Sequence, residues 1–169
     1  MAGRFTRQEL EEAFAGYQRT SLAAGGSGNW DLFADQFTLD ATYVEHGYGT
    51  FGGREAIRRW ITTTMATFPG SAMPHFPIGW YVVDEDKGWI VCQVFNRMAD
   101  PGDGSVHQAD NITLLKYAGD GLWSYEEDAY NPASFLTMLT AWRDRADRHG
   151  TLTEEARTWF ASMGLAAKG

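Results

Sequence analysis

The chain opens with apolar residues at helical spacing. Leu10, Phe14 and Tyr17 share one face while Arg7, Glu11, Glu12 and Arg19 point elsewhere, which predicts a helix over about residues 7–22. Thr6 followed three residues later by Glu9 has the spacing of a helix start. The run AAGGSGN should end that helix, with Asn29 placed to cap a short second one, WDLFADQF. From Ala41 the pattern turns to ATYVEHGY, rich in β-formers and bounded by glycine, so a strand or strand and bend is expected. Beyond GTFGG, the stripe Ile57, Trp60, Ile61 and Met65 predicts another helix, closed by Phe68, Pro69, Gly70 and Pro74.

The middle of the chain alternates in twos. FPIGWYVVDE, WIVCQVFNRM, VHQADNITLLKY and LWSYEEDAY are separated by DEDKG, ADPGDGS and AGDG, which predicts a four-stranded antiparallel meander. Helical spacing then returns in NPASFLTMLTAWRDRADRHG, with Asn131 as cap and Pro132 in the first turn, and again in TLTEEARTWFASMG. This order predicts an α+β fold, helices packed on the concave face of a curved antiparallel sheet. One domain over residues 1–169 is expected, with a C-terminal helical extension at about 132–164.

Composition narrows the function. The 169 residues include seven Trp, seven Tyr and ten Phe, more than a solvated acidic chain carries, so the aromatics fill a core or wall an apolar hole. A net charge of −8 argues against tracking a phosphate backbone, so no nucleic-acid partner is expected. The lone Cys92 allows no internal disulfide and no thiolate metal site. No segment approaches a membrane span and the start turns acidic early, so a cytoplasmic protein without a membrane partner is expected. His46, His75 and His107 lack metal-ligand spacing, and GYGTFGG lacks the Lys–Ser/Thr end of a phosphate loop. Neither a metal nor another cofactor is therefore expected.

The run FADQFTLDATYVEHGYGTFGGREAIRRWI, with Asp40–Ala41–Thr42 before the strand and Arg54–Glu55–Ala56–Ile57 opening the helix, resembles the SnoaL-like branch of the nuclear-transport-factor-2-like superfamily. The resemblance covers roughly residues 7–145. It implies a cone-shaped α+β fold around an apolar pocket, of the kind that ketosteroid isomerases, polyketide cyclases, dehydratases, epoxide hydrolases and non-catalytic binding modules build. Matched to the isomerase pattern, Tyr17 stands where a phenol binds the developing enolate oxygen, with Phe14 competing for the place. Asp110 stands at the buried acid, and Glu45–His46 at the base, His46 being the closer match. Arg97 with Asp110 and Asp128 would imitate the hydrolase set if all three faced inward.

Read as residues, each candidate has two uses. His46 offers an imidazole, the side-chain type suited to proton transfer at neutral pH, beside a glycine that permits close approach, or it is a rim histidine. Asp110 lies among apolar neighbours, as a neutral donor or a partnered structural acid, and a bulge would turn Asn111 inward instead. Tyr17 clamps a substrate or packs in the core. Of Glu126, Glu127 and Asp128, at most part of the run faces in, with Glu126 and Asp128 sharing a parity. Trp80, Phe95, Asn96, Trp123 and Tyr130 are the expected pocket wall. The combined expectation is a cofactor-free acid/base enzyme for a small apolar carbonyl compound, working as a homodimer. His46 would be its base, and Asp110, Tyr17 and Asp128 would complete the catalytic set. An epoxide hydrolase or a binding and dimerisation module is the alternative.

Overall fold

A computed structural model describes residues 4–165; the ends of the expected domain, residues 1–3 and 166–169, lie outside the described residues. Helix α1 runs Arg7–Ser27, begun by Thr6, whose hydroxyl accepts from the Glu9 N–H at 3.1 Å. It continues five residues past the expected stop. Gly25 and Gly26 lie within the helix, and at Gly25 the missing side chain lets the helix pass close to another segment, since a Cβ there would meet the Pro74 carbonyl oxygen at 2.1 Å. The stop comes at Gly28, whose left-handed φ of 73° lets its N–H return to the Ala24 carbonyl. Asn29 then accepts from the Asp31 N–H, opening the single turn α2, Asp31–Ala34.

Strand β1 spans Phe37–Glu45 and β2 Gly49–Gly52, followed by α3, Arg54–Met65. The meander is β3 Ile78–Asp84, β4 Trp89–Arg97, β5 Gln108–Gly119 and β6 Leu122–Tyr130. All six strands join one sheet in the order β2-β1-β6-β5-β4-β3. Its pairings are antiparallel except β1 with β6, which is parallel, so the sheet is mixed rather than purely antiparallel. The chain returns to β1's flank only after completing the meander, and enters that edge in β1's own direction.

One register shift decides which β6 residues face inward. Trp123 pairs with Tyr117 and Tyr125 with Lys116, leaving Ser124 as an extra residue. The bulge turns Trp123, fully buried, and Glu126, 1% exposed, to the same side despite their odd separation.

Two apolar clusters hold the molecule together. The first packs α1, α2 and α3 on the concave sheet face through residues such as Leu10, Phe14, Phe37, Ile57, Leu115 and Trp123. The second joins α4, Pro132–Arg148, and α5, Glu154–Ser162, to the sheet's far end through Met98, Trp142, Ala156 and Phe160. As the Asn131–Pro132 pair implied, the Asn131 side chain accepts from the Ala133 N–H at the start of α4. Phe14, fully buried, is the kind of residue whose burial contributes about 1.5–3 kcal/mol. Helices cover the concave face and leave the middle of the cone open, the architecture of the nuclear-transport-factor-2-like α+β fold.

Candidate active site

The opening is a cavity of ≈ 420 Å³, within the size range of small-molecule sites. Its walls come from the helices and from alternate positions on the strands. Tyr17 of α1 and Trp60 of α3 face Tyr43, Asn111, Thr113, Glu126 and Asp128 of the sheet, while Phe135 and Leu139 of α4 border it beyond Tyr130.

A connected polar network lies on the sheet side. The Tyr17 hydroxyl donates to Glu126 Oε1 at 2.7 Å. Tyr43 places its hydroxyl 2.5 Å from Asp128 Oδ2 and 3.1 Å from the same Glu126 oxygen. Asp128 Oδ1 accepts from the Thr113 hydroxyl and, at 2.9 Å, from Asn111 Nδ2. Asn111 in turn accepts from Asn96 Nδ2 at 2.7 Å. With one proton per phenol, the network closes if Tyr43 gives its proton to Asp128 and a neutral Glu126 donates to Tyr43. Glu126 Oε2 is buried and has no hydrogen-bond partner among the described residues.

Burial sets the electrostatics. Glu126 is pushed well above the usual carboxylate range, first by loss of water and then by Asp128 beside it. Asp128, partly open to the cavity, is raised to about 6 by burial; the bonds from Thr113, Tyr43 and Asn111 oppose that rise and Glu45 adds to it. The phenols of Tyr17 and Tyr43 are raised for the same leading reason, with the carboxylates contributing. Glu45 closes the β1 end: its Oε2 accepts the N–H groups of Gly47 and Tyr48 at 2.6 and 2.5 Å. The Tyr130 hydroxyl packs so closely there that a Cβ on Gly47 would meet it at 2.1 Å, so any larger residue would displace the phenol.

The structure corrects several expected positions. His46 stands outside the cavity, its side chain 47% exposed and Nε2 2.8 Å from Glu127 Oε1, because strand alternation turns Tyr43 and Glu45 inward and their neighbour outward. Asp110 also faces out, exposed and accepting from Gln93 at 2.7 Å; Asn111 takes the inward place without a bulge. Arg97 bonds to Gln108 and is not on the wall, so Arg97, Asp110 and Asp128 form no set. Trp80, 46% exposed, lies on the outer face in a row with Gln93 and Ile112, and Phe95 sits on that same side opposite Asp110. Trp123 faces inward but beneath the cavity, edge-on to Tyr17 and Tyr117. Tyr17, Asn96, Asn111, Glu126, Asp128 and Tyr130 line the cavity.

Tyr43 and Thr113 were not singled out by sequence reasoning. Their signal was the period of two: Tyr43 shares parity with Ala41 and Glu45, and Thr113 with Asn111 and Leu115.

Solved structures share this cone. A SnoaL-like polyketide cyclase, so assigned provisionally, from Jannaschia sp. CCS1 is 14% identical, covering 78% of this chain and 91% of that chain, with a TM-score of 0.58. A hypothetical protein with a ketosteroid isomerase-like fold from Catenulispora acidiphila, in complex with trimethylamine, is 23% identical over 72% of this chain and 90% of that chain, at 0.57. The epoxide hydrolase/cyclase-like enzyme SalBIII, of pyran ring formation in the polyether salinomycin, is 16% identical over 75% and 94%, also at 0.57. No family model matches the sequence, and no curated protein does. At these identities the likeness shows the fold alone: a cone-shaped, nuclear-transport-factor-2-like α+β fold. Among the described residues no helix is long and apolar enough to cross a membrane.

Proposed function

We propose that this protein is an acid/base enzyme, needing no cofactor, that moves a proton on a small apolar carbonyl compound, as isomerases, cyclases and dehydratases do. The observation that carries the reading is Asp128: a carboxylate open to an apolar cavity, raised to about 6 and held by Tyr43, Thr113 and Asn111. A base with that affinity for protons is mostly ionised at neutral pH and still strong enough to take a proton from a carbon next to a carbonyl. The base role passes from His46, which lies outside, to Asp128.

Glu126 is a positioning residue. Neutral and buried behind Asp128, it fixes the hydroxyls of Tyr17 and Tyr43 without adding a second charge. When Asp128 accepts the substrate proton, Tyr43 no longer faces a carboxylate charge, and its hydroxyl is free to donate to the enolate oxygen. Return of the proton from Asp128 to another carbon gives isomerisation; its transfer to a β-hydroxyl that leaves as water gives dehydration and restores the Asp128 carboxylate.

The test is native mass spectrometry against a mixed library of apolar ketones, lactones and epoxides, followed by turnover assays of the binders. Asp128→Asn should abolish turnover while still holding the neutral binders of that library, and His46→Ala should retain both turnover and binding. Binders without turnover in any sample would leave a binding module instead.

A further inference from the structure

The cavity is short of positive charge. Among the described residues that line it there is no Lys, Arg or His, while three carboxyl groups, Glu45, Glu126 and Asp128, face it. Protein cations that normally balance such groups lie elsewhere: Arg54 is committed to the Phe37 carbonyl and Arg58 to Asp31, Asp35 and Glu55. Glu126, 1% exposed, keeps Oε2 without a partner on the cavity wall. No three of these acids, nor any others among the described residues, stand close enough together to hold a metal ion.

Aromatic rings surround the acids. Trp60 lies with its ring centroid 4.7 Å from Tyr43, 4.7 Å from Phe51 and 6.2 Å from Tyr48. Tyr43 carries its hydroxyl to Asp128, so the ring cluster and the carboxylate meet at one end of the cavity. Ring faces attract a cation and repel an anion, and unbalanced carboxylates do the same at longer range. An apolar body with a diffuse, weakly hydrated charge suits both walls; a bare metal ion or an anion suits neither.

From this juxtaposition we infer that the cavity's ligand is a small apolar organic cation, a protonated or quaternary amine, whose charge lies among Trp60, Tyr43 and the Asp128–Glu126–Glu45 acids. The inference deepens the acid/base reading and rests on it for the site: the substrate class becomes a carbonyl compound carrying such an amine. The ammonium would give Asp128 the charge partner that no Lys, Arg or His on the cavity wall provides.

A matched pair of probes isolates the charge. Benzyltrimethylammonium and neopentylbenzene have the same shape and differ by one positive charge, and binding to the full chain is read from quenching of tryptophan fluorescence. The cation should bind at least roughly ten-fold more tightly than its neutral isostere. That preference should fall most of the way to unity in Asp128→Asn, and in Trp60→Leu, whereas Glu127→Gln on the outer face should leave it unchanged. Equal affinity for the two probes, tighter binding of the neutral one, or a preference intact in Asp128→Asn would each overturn the inference. None of these outcomes depends on turnover, so loss of the cation preference and loss of the acid/base reading are separate results.

Discussion

Glu126 and Glu127 are the same residue at adjacent positions of one strand, and the sheet between them makes them chemically opposite. Glu126 points inward, loses its water and is pushed up, its partners two phenols and a neighbouring acid. Glu127 points outward and is held down by bonds from the Tyr125 hydroxyl at 2.6 Å and from His46 at 2.8 Å, with Lys116 contributing. Both faces therefore carry a tyrosine–carboxylate pair. The inner carboxyl is pushed toward its protonated form and the outer one is an ordinary ionised carboxylate hydrogen-bonded beside water, which points to desolvation, more than partner type, as what turns a glutamate into acid/base machinery.

The largest effect that separates the two faces is on turnover. For a substrate found in the library, Asp128→Asn should reduce kcat by about 100-fold or more, since it removes the proton acceptor. His46→Ala, on the outer network, should change kcat less than about two-fold; a large loss there would return the base to His46.

Stability sharpens the contrast next. Tyr43→Phe removes a donor from buried Asp128 and should cost about 1–3 kcal/mol in chemical denaturation, while raising the Asp128 midpoint further. Tyr125→Phe breaks the equivalent outer bond where water can replace it, so about 0.5 kcal/mol or less is expected.

Acid titration of stability gives the two faces opposite signs. Asp128 binds its proton more tightly folded than unfolded, so its contribution is fully present below the ordinary value of 3.8 and is lost as pH rises through about 6. Glu127 is depressed on folding, so its contribution is present above its ordinary value of 4.5 and is lost as pH falls below it. Denaturation midpoints measured from pH 3 to 7 should show the first slope flattened by Asp128→Asn and the second by Glu127→Gln. The smallest effect is His46→Ala at pH 7, where the exposed pair with Glu127 should alter stability by less than about 0.5 kcal/mol.

The sequence carried the scaffold well because its signals were local. Thr6, Asn29 and Asn131 announced helix starts, and short glycine turns separated the strands. Strand β5 was harder: Asp110 and Asn111 each interrupt an aliphatic run, so either parity looked half apolar, and only the packed sheet distinguishes them. In β6 the shared parity of Glu126 and Asp128 was legible, but the Ser124 bulge that brings Trp123 to their side has no marker in LWSYEED. At the end of β1, chemistry favoured His46 because imidazole titrates near neutrality. Alternation favoured Glu45, and the geometry of the sheet prevails over the intrinsic pKa of a side chain.

The cavity face of β6 holds its acids protonated beyond the range of the outer face. Side-chain carboxyl ¹³C shifts, assigned through Asp128→Asn, Glu126→Gln and Glu127→Gln, measure it directly. Asp128 should show a midpoint near 6, Glu126 one well above the ordinary 4.5, and Glu127 one below 4.5. Asp128 at or below 3.8, with Glu126 titrating alongside Glu127, would contradict it.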